Sequence, residues 1–309
     1  LIKVRNLTKY YGERLAVDKI NFDIGKGEIV GLLGPNAAGK TTTMRMLTGF
    51  MMPTSGDAFI ADCNMATNSL EGRKHIGYMP ESVPLYTDMT VRDYLDFFAR
   101  LRGVDKTRTK KRINDVVTLC HLEEYVDSII GKLSRGFRQR VGLAQAIIHE
   151  PEVLILDEPT VGIDPIQVSQ TRSVIKELGK EHTILLSTHI LPEVSMTCDR
   201  VIIIHNGKII AEDRIENLSA IMKGARRLRI EVKGPTEQIV KRLQRIDGVR
   251  KVAKEGNYLI VESPISVDPR GQITETIVKS GWTLLSIESV EMSLEDIFLQ
   301  LTKKEESEQ

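Results

Sequence analysis

The chain has 309 residues, 41% of them hydrophobic, and 43 basic against 42 acidic residues leave a formal net charge of +1. That is enough apolar material for one large domain plus a smaller one, while the charge balance gives no global field arguing for nucleic acid or an anionic membrane surface. Cys63, Cys120 and Cys198 lie far apart without a C-x-x-C pair, which suits a reducing compartment and gives no zinc site. No apolar run reaches the roughly 18 residues of a membrane helix, and the opening LIKVRNLTKYYG lacks the apolar stretch of a secretory signal. A soluble, cytosolic polypeptide is expected.

Along the chain, the first strong signal is a strand-like run, residues 28–33, leading into Gly34-x-x-x-x-Gly39-Lys40-Thr41, with a helical pattern from Thr42 to Leu47. This is a phosphate-binding loop: glycines let successive N–H groups turn inward, and the helix N-terminus adds a favourable dipole. Lys40 is expected to reach β- and γ-phosphates and the Thr41 hydroxyl to ligate Mg²⁺. A largely helical insert follows, at about 82–150. In it Thr90 is an N-cap before VRDYLDFFARLRG, Val91, Tyr94, Leu95 and Phe98 form one apolar stripe, and Gly103 supplies the stop.

Within KLSRGFRQRVGLAQAII, residues 132–148, Ser134 has the position and chemistry of a helix cap. Beyond it, Val141, Leu143, Ala144, Ile147 and Ile148 are expected to pack inward. The run Val153 to Leu156 then ends in two acids, Asp157 and Glu158, at the carboxyl end of a strand, where open α/β sheets bind ligands. Asp157 is placed to hold the hydration shell of Mg²⁺ and Glu158 to orient or deprotonate water. Further strands, at residues 183–187 and 201–205, complete the pattern of a covered, largely parallel sheet. After Gly224 the segments read strand, helix, strand, strand, helix, strand, helix, a ferredoxin-like split βαβ order with a closing helix. The expected division is thus 1–218, 219–304 and a charged tail, 305–309. Arg226, Arg227 and Arg229 read as a solvated face.

The ordered set, Gly34 to Thr41, Leu133 to Phe137, Val153 to Glu158 and His189 in LLSTHI, resembles the ATP-binding subunits of ATP-binding-cassette (ABC) transporters, over residues 1 to about 218. With the tail section it is most similar to the ATPases of drug-exporter and gliding-motility type. The resemblance implies an α/β P-loop NTPase cassette, a parallel-sheet core with an antiparallel β part and a helical insert, plus a small α+β ferredoxin-like C-terminal domain. By the same likeness Tyr11 stacks on adenine and Val17 contacts the ribose region. Gly34, Pro35, Asn36, Ala37, Ala38, Gly39, Lys40, Thr41 and Thr42 wrap the phosphates. Ser134 and Gly136 reach the γ-phosphate held by a second, head-to-tail cassette, so that one cassette per chain implies a homodimer or a paired cassette. Asp164 belongs to a loop communicating between the two sites, and His189 bonds the γ-phosphate and aligns Glu158 with water.

Three departures stand out. Ala37 replaces a common glycine, so its position is not expected to need positive φ. The signature LSRGF carries Arg135 and Phe137 where the family usually has LSGGQ. Glu81 stands for the family's glutamine, a carboxylate that can still ligate Mg²⁺ but adds negative charge beside the attacking water. The implied function is ATP hydrolysis, with ATP and Mg²⁺ as cofactors, driving transport, export by subgroup likeness, through membrane-spanning subunits on separate chains. The implied location is cytoplasmic, peripheral on the inner face of the cell membrane, and no nucleic-acid partner is expected. Two alternatives remain at this point, a soluble ABC ATPase acting on ribosomes or nucleic acid and a weakly hydrolysing regulatory module.

Overall fold

The structure is a computed structural model and describes residues 1–215, 226–256, 258–264 and 266–290. The chain forms two compact units, Leu1–Ile215 and Glu216–Gln309.

Unit 1 opens with the hairpin β1 (Ile2–Tyr11) and β2 (Arg14–Ile24), then β3 (Ile29–Leu33), α1 (Lys40–Leu47), β4 (Ser55–Ile60), the short β5 (Cys63–Asn64) and α2 (Ser69–Gly72). Next come β6 (Ile76–Met79), α3 (Val91–Leu101), α4 (Lys106–Leu119) and α5 (Arg135–Ile147). The unit ends with β7 (Val153–Asp157), α6 (Pro165–Leu178), β8 (Thr183–Thr188), α7 (Leu191–Thr197), β9 (Arg200–His205) and β10 (Lys208–Arg214).

Its main sheet has the order β10-β9-β3-β8-β7-β6, parallel except for the antiparallel edge strand β10. Every residue of β3, β7 and β8 is buried, as continuous apolar runs covered on both faces must be. β3, β8 and β7 are neighbours, so the loops leaving their carboxyl ends, after Leu33, Thr188 and Asp157, emerge side by side. A second, antiparallel sheet has the order β2-β1-β4-β5. Helix α1 touches both sheets, through β2 and β4 on one side and β7 on the other. Its Met44, Met46 and Leu47 join one core with Ile2, Val4, Ile60, Val153 and Leu185. Each such large side chain contributes roughly 1.5–3 kcal/mol on burial.

The helical insert is specified locally. Thr90 Oγ1 accepts from Asp93 N at 3.1 Å and opens α3, Asp105 Oδ1 accepts from Thr107 N at 2.7 Å and opens α4, and Ser134 Oγ accepts from Phe137 N at 3.4 Å at the start of α5. Gly103, at φ +76°, lies just past α3. The expected inward-facing residues of α5, Val141, Leu143, Ala144 and Ile147, are all buried.

Unit 2 runs β11 (Arg226–Lys233), α8 (Thr236–Leu243), β12 (Lys251–Glu255), β13 (Tyr258–Ser263), α9 (Arg270–Lys279) and β14 (Thr283–Val290). The antiparallel sheet order β12-β13-β11-β14 and the element order are those of a split βαβ pair. Leu228, Ile230 and Val261 of the sheet pack with Ile239, Leu243, Ile273 and Ile277 of the helices. The arginines expected as a solvated face are ion-paired, Arg226 with Asp268 at 3.1 Å, Arg227 with Glu262 at 3.3 Å and Arg229 with Glu288 at 2.7 Å. The closing helix read at SLEDIFLQLT and the tail 305–309 lie outside the described residues.

Candidate active site

A cleft of about 550 Å³ opens at the carboxyl edge of the main sheet, walled by Asn36 to Thr42, Glu158 and His189, with Tyr11 and Glu81 also lining it. The glycine loop turns out of β3 and is held from three directions: Gly34 N donates to Thr188 O, Gly207 N donates to Ala38 O, and Thr43 N donates to Gly39 O. Gly34 needs to be glycine for space, since a Cβ there would stand 2.3 Å from Ile204 O. Gly39 needs to be glycine for conformation, at φ +110°.

Two expectations about this loop are corrected. Ala37 has φ +63°, so the position does take the left-handed conformation, and alanine occupies it at a cost of about 1–2 kcal/mol. The helix begins at Lys40 rather than Thr42 because Gly39 is its N-cap residue. Hence the unpaired N–H groups of the first turn fall at the loop's end, in the wall of the cleft.

Lys40 is 5% exposed. Its Nζ donates to Gly34 O at 2.7 Å and Pro35 O at 3.1 Å, and lies 3.2 Å from Glu158 Oε1. Gly34 and Pro35 thus act through their carbonyls, behind the residues that wall the cleft. Asp157 is buried at the end of β7. Its Oδ1 accepts from Ser187 Oγ at 2.5 Å and Thr41 Oγ1 at 3.3 Å, whereas Oδ2 is buried with no partner. Burial pushes its carboxyl above the ordinary carboxylate range, against the hydrogen bonds from Ser187 and Thr41.

Glu158, one residue on, takes a left-handed turn at φ +49°. Its N–H donates to Ser187 O and Ser187 Oγ, so the strained backbone is pinned to β8. Its Oε2 accepts from His189 Nδ1 at 3.0 Å. The cleft therefore gathers a phosphate-sized nest of N–H groups, a buried ammonium, a carboxylate and an imidazole. Such a set can bind an anion and orient a water against it.

The remaining expected residues divide. Tyr11 is 44% exposed and presents its ring at the cleft. Val17 does not line it: that side chain is wholly buried in the core beneath the glycine loop, because β2 alternates, and Ala16 forms the wall instead. Ser134 and Gly136 do not line this cleft either. Asp164 is the N-cap of α6, its Oδ1 accepting from Ile166 N at 3.1 Å and Gln167 N at 3.0 Å. In the variant signature, the Phe137 ring packs on Tyr125 at 4.1 Å between centroids and under the Arg140 guanidinium at 5.0 Å. Ser187 is the site residue that the motifs did not single out. Its signal was present, a hydroxyl ending an apolar strand, but only the pairing of Asp157 with Ser187 in adjacent strands shows what it meets.

Among known proteins, residues 17–161 match the family described as ABC transporter. Over 303 residues the chain is 36% identical to the bacitracin transport ATP-binding protein BcrA of Bacillus licheniformis, covering 97% of each chain. It is 34% identical over 314 residues to the Nod factor export ATP-binding protein I of Ralstonia nicotianae, covering 99% of this chain and 94% of that one. A solved ATP-binding cassette, a dimer in a post-hydrolysis state bound to ADP and Pi, superposes with a TM-score of 0.64 at 23% identity, covering 70% of this chain and 99% of that one. That likeness concerns the fold, whereas the full-length identities settle kinship. The chain belongs to the ATP-binding subunits of the ABC transporter family.

Proposed function

We propose that this subunit hydrolyses MgATP at the interface of two head-to-tail cassettes and passes the resulting closing and opening to separate membrane subunits that export a substrate. The observation that carries the reading is the constellation beside a glycine loop of three buried charged residues, Lys40, Asp157 and Glu158, with the half-buried His189 against Glu158. Full-length similarity to subunits named for bacitracin transport and Nod factor export supports the transport role and its direction.

In this reading Tyr11 offers its face to adenine, and the N–H groups of Asn36 to Thr42, with Lys40, bind the phosphates. Mg²⁺ suits the donor set, because the orphaned Asp157 Oδ2 is a hard oxygen with no protein partner and Thr41 Oγ1 lies beside the same carboxylate. Thr41 and Asp157, with Glu81, would hold it, and when bound it neutralises phosphate charge. Glu158 orients and deprotonates water while His189 holds that carboxylate and meets the γ-phosphate. Phosphoryl transfer asks mainly for such positioning and charge stabilisation.

Ser134 and Gly136 lie at the N-terminus of α5, whose dipole favours an anion, and their absence from the chain's own cleft agrees with a role toward a second copy. Asp164 would link the two sites. A second cleft, of about 480 Å³, lies between Glu81 to Leu85 and the Arg135, Arg138 and Gln139 side chains. It is the proposed groove for a cytoplasmic helix of the membrane subunit. No helix among the described residues is long and apolar enough to cross a membrane.

The test is co-purification of the tagged chain from gently solubilised membranes of its own cells. A multi-span membrane protein recovered in roughly equal amount is the expected result. Recovery with ribosomes or nucleic acid alone would overturn the transport role and leave the ATPase.

A further inference from the structure

We propose that Glu193 is a positioning residue of the hydrolytic site, a buried carboxylate that ties the loop carrying Glu158 to the loop carrying His189. The proposal rests on the roles given above to those two residues. Glu193 lies in the first turn of α7 and is 6% exposed. Its Oε1 accepts from Thr160 Oγ1 at 2.6 Å and its Oε2 from Thr188 Oγ1 at 2.8 Å. Thr160 is two residues beyond Glu158, and Thr188 immediately precedes His189.

The geometry gives the clamp a direction. Thr188 Oγ1 also accepts from Ile190 N at 3.0 Å, so its own hydrogen is left for Glu193, and the backbone on both sides of His189 is fixed through one hydroxyl. Ser187 holds Glu158 from the strand side, through the Glu158 N–H. Glu193 holds the same turn from its far end, through Thr160. A left-handed turn at a non-glycine residue persists only where its surroundings over-determine it, and these two attachments do so for Glu158.

Stability alone gives no reason for a carboxylate here. Glutamate is almost never this buried unless paired, and an apolar side chain of similar volume packs without the desolvation cost. What an apolar residue cannot do is join two hydroxyls on different loops. Thr160 is 5% exposed and Thr188 is fully buried, so water has little access to replace the carboxylate. Without the clamp, the 3.0 Å contact between His189 Nδ1 and Glu158 Oε2 loses the frame that sets it.

The test is steady-state ATP hydrolysis by the purified full chain, together with affinity for a fluorescent ATP analogue, for wild type, E193A, E193Q, T160V and the double variant E193A/T160V, with E158Q as reference. A misplacement of about 1 Å in a reacting group costs about 10²-fold. E193A is therefore expected to lower kcat about 10²-fold with nucleotide affinity within about twofold. E193Q, which keeps one acceptor oxygen, is expected to lose about 10-fold, and E193A combined with T160V to be no worse than E193A alone. Should E193A not fold, the isosteric E193Q carries the test. Wild-type kcat in E193Q or E193A alongside an inactive E158Q would overturn the clamp and leave the roles of Glu158 and His189 standing, as would losses in E193A and T160V that multiply. Normal turnover by E158Q would overturn the clamp together with the reading it rests on.

Discussion

The Lys40 ammonium stands 3.2 Å from a carboxylate oxygen of Glu158, with both side chains only 6% exposed. The lysine and the carboxylate proposed as base are thus each other's counter-charge, and in the proposed reading a triphosphate entering the loop competes for the same ammonium. Removing one member of a buried pair leaves an uncompensated charge, at a cost of about 3–5 kcal/mol, whereas removing both costs much less. K40M is expected to lower stability to urea without nucleotide by about 3 kcal/mol, and K40M/E158Q to recover most of it. Equal losses in the single and double variants would show that the pair is not what the lysine stabilises.

Glu158 itself tests the chemistry. Its backbone is pinned to Ser187 and its side chain shared by Lys40 and His189, so glutamine, of the same shape, keeps the place but cannot take a proton. E158Q is expected to bind ATP as wild type does and to lose about 10² to 10⁴ in kcat. Multiple turnover at the wild-type rate would remove Glu158 from the role of base.

Ala37 makes a prediction of opposite sign to the usual one. Alanine to glycine ordinarily costs about 0.5–1 kcal/mol through chain entropy. At φ +63° the glycine also relieves about 1–2 kcal/mol of steric cost. A37G is therefore expected to leave stability unchanged or raise it by up to about 1.5 kcal/mol. Ala146, buried within α5, serves as the control, since A146G removes a helical methyl and is expected to destabilise. A loss at A37G as large as at A146G would contradict the strain.

The same residue shows where sequence reading reached and where it stopped. Motifs with their own chemistry were legible: the glycine loop, the acids ending an apolar run, the caps Thr90 and Ser134, and the alternation of elements in both units. Each is a local pattern of residue type and spacing. What the local pattern does not contain is the partner across the fold. Whether Ala37 turns left-handed is decided by where the loop must meet β9 and Thr188, and whether Val17 or Ala16 faces the cleft is decided by the pleat of β2 against a core drawn from both sheets. Ser187 and Glu193 escaped notice for the same reason, because a hydroxyl and a carboxylate acquire roles only when β7, β8 and α7 are packed together.

His149 supplies a pH dependence outside the cleft. Its Nε2–H donates to Ile76 O at 3.1 Å, while Nδ1 is buried with no partner, leaving no acceptor for a second proton. Burial, reinforced by Arg102, holds the imidazole down from 6.5 to about 4. Between those values the unfolded chain binds a proton that the folded chain does not, so stability rises with pH there. The contribution is fully present above about pH 6.5 and is lost as pH falls toward 4, about 3 kcal/mol in all and about 2 kcal/mol of it by pH 5. H149Q cannot titrate, so its stability to urea is expected to fall less than the wild type's between pH 7.5 and pH 5, by about that 2 kcal/mol. Parallel pH profiles for the two proteins would show that the buried imidazole accepts its proton without opening the fold.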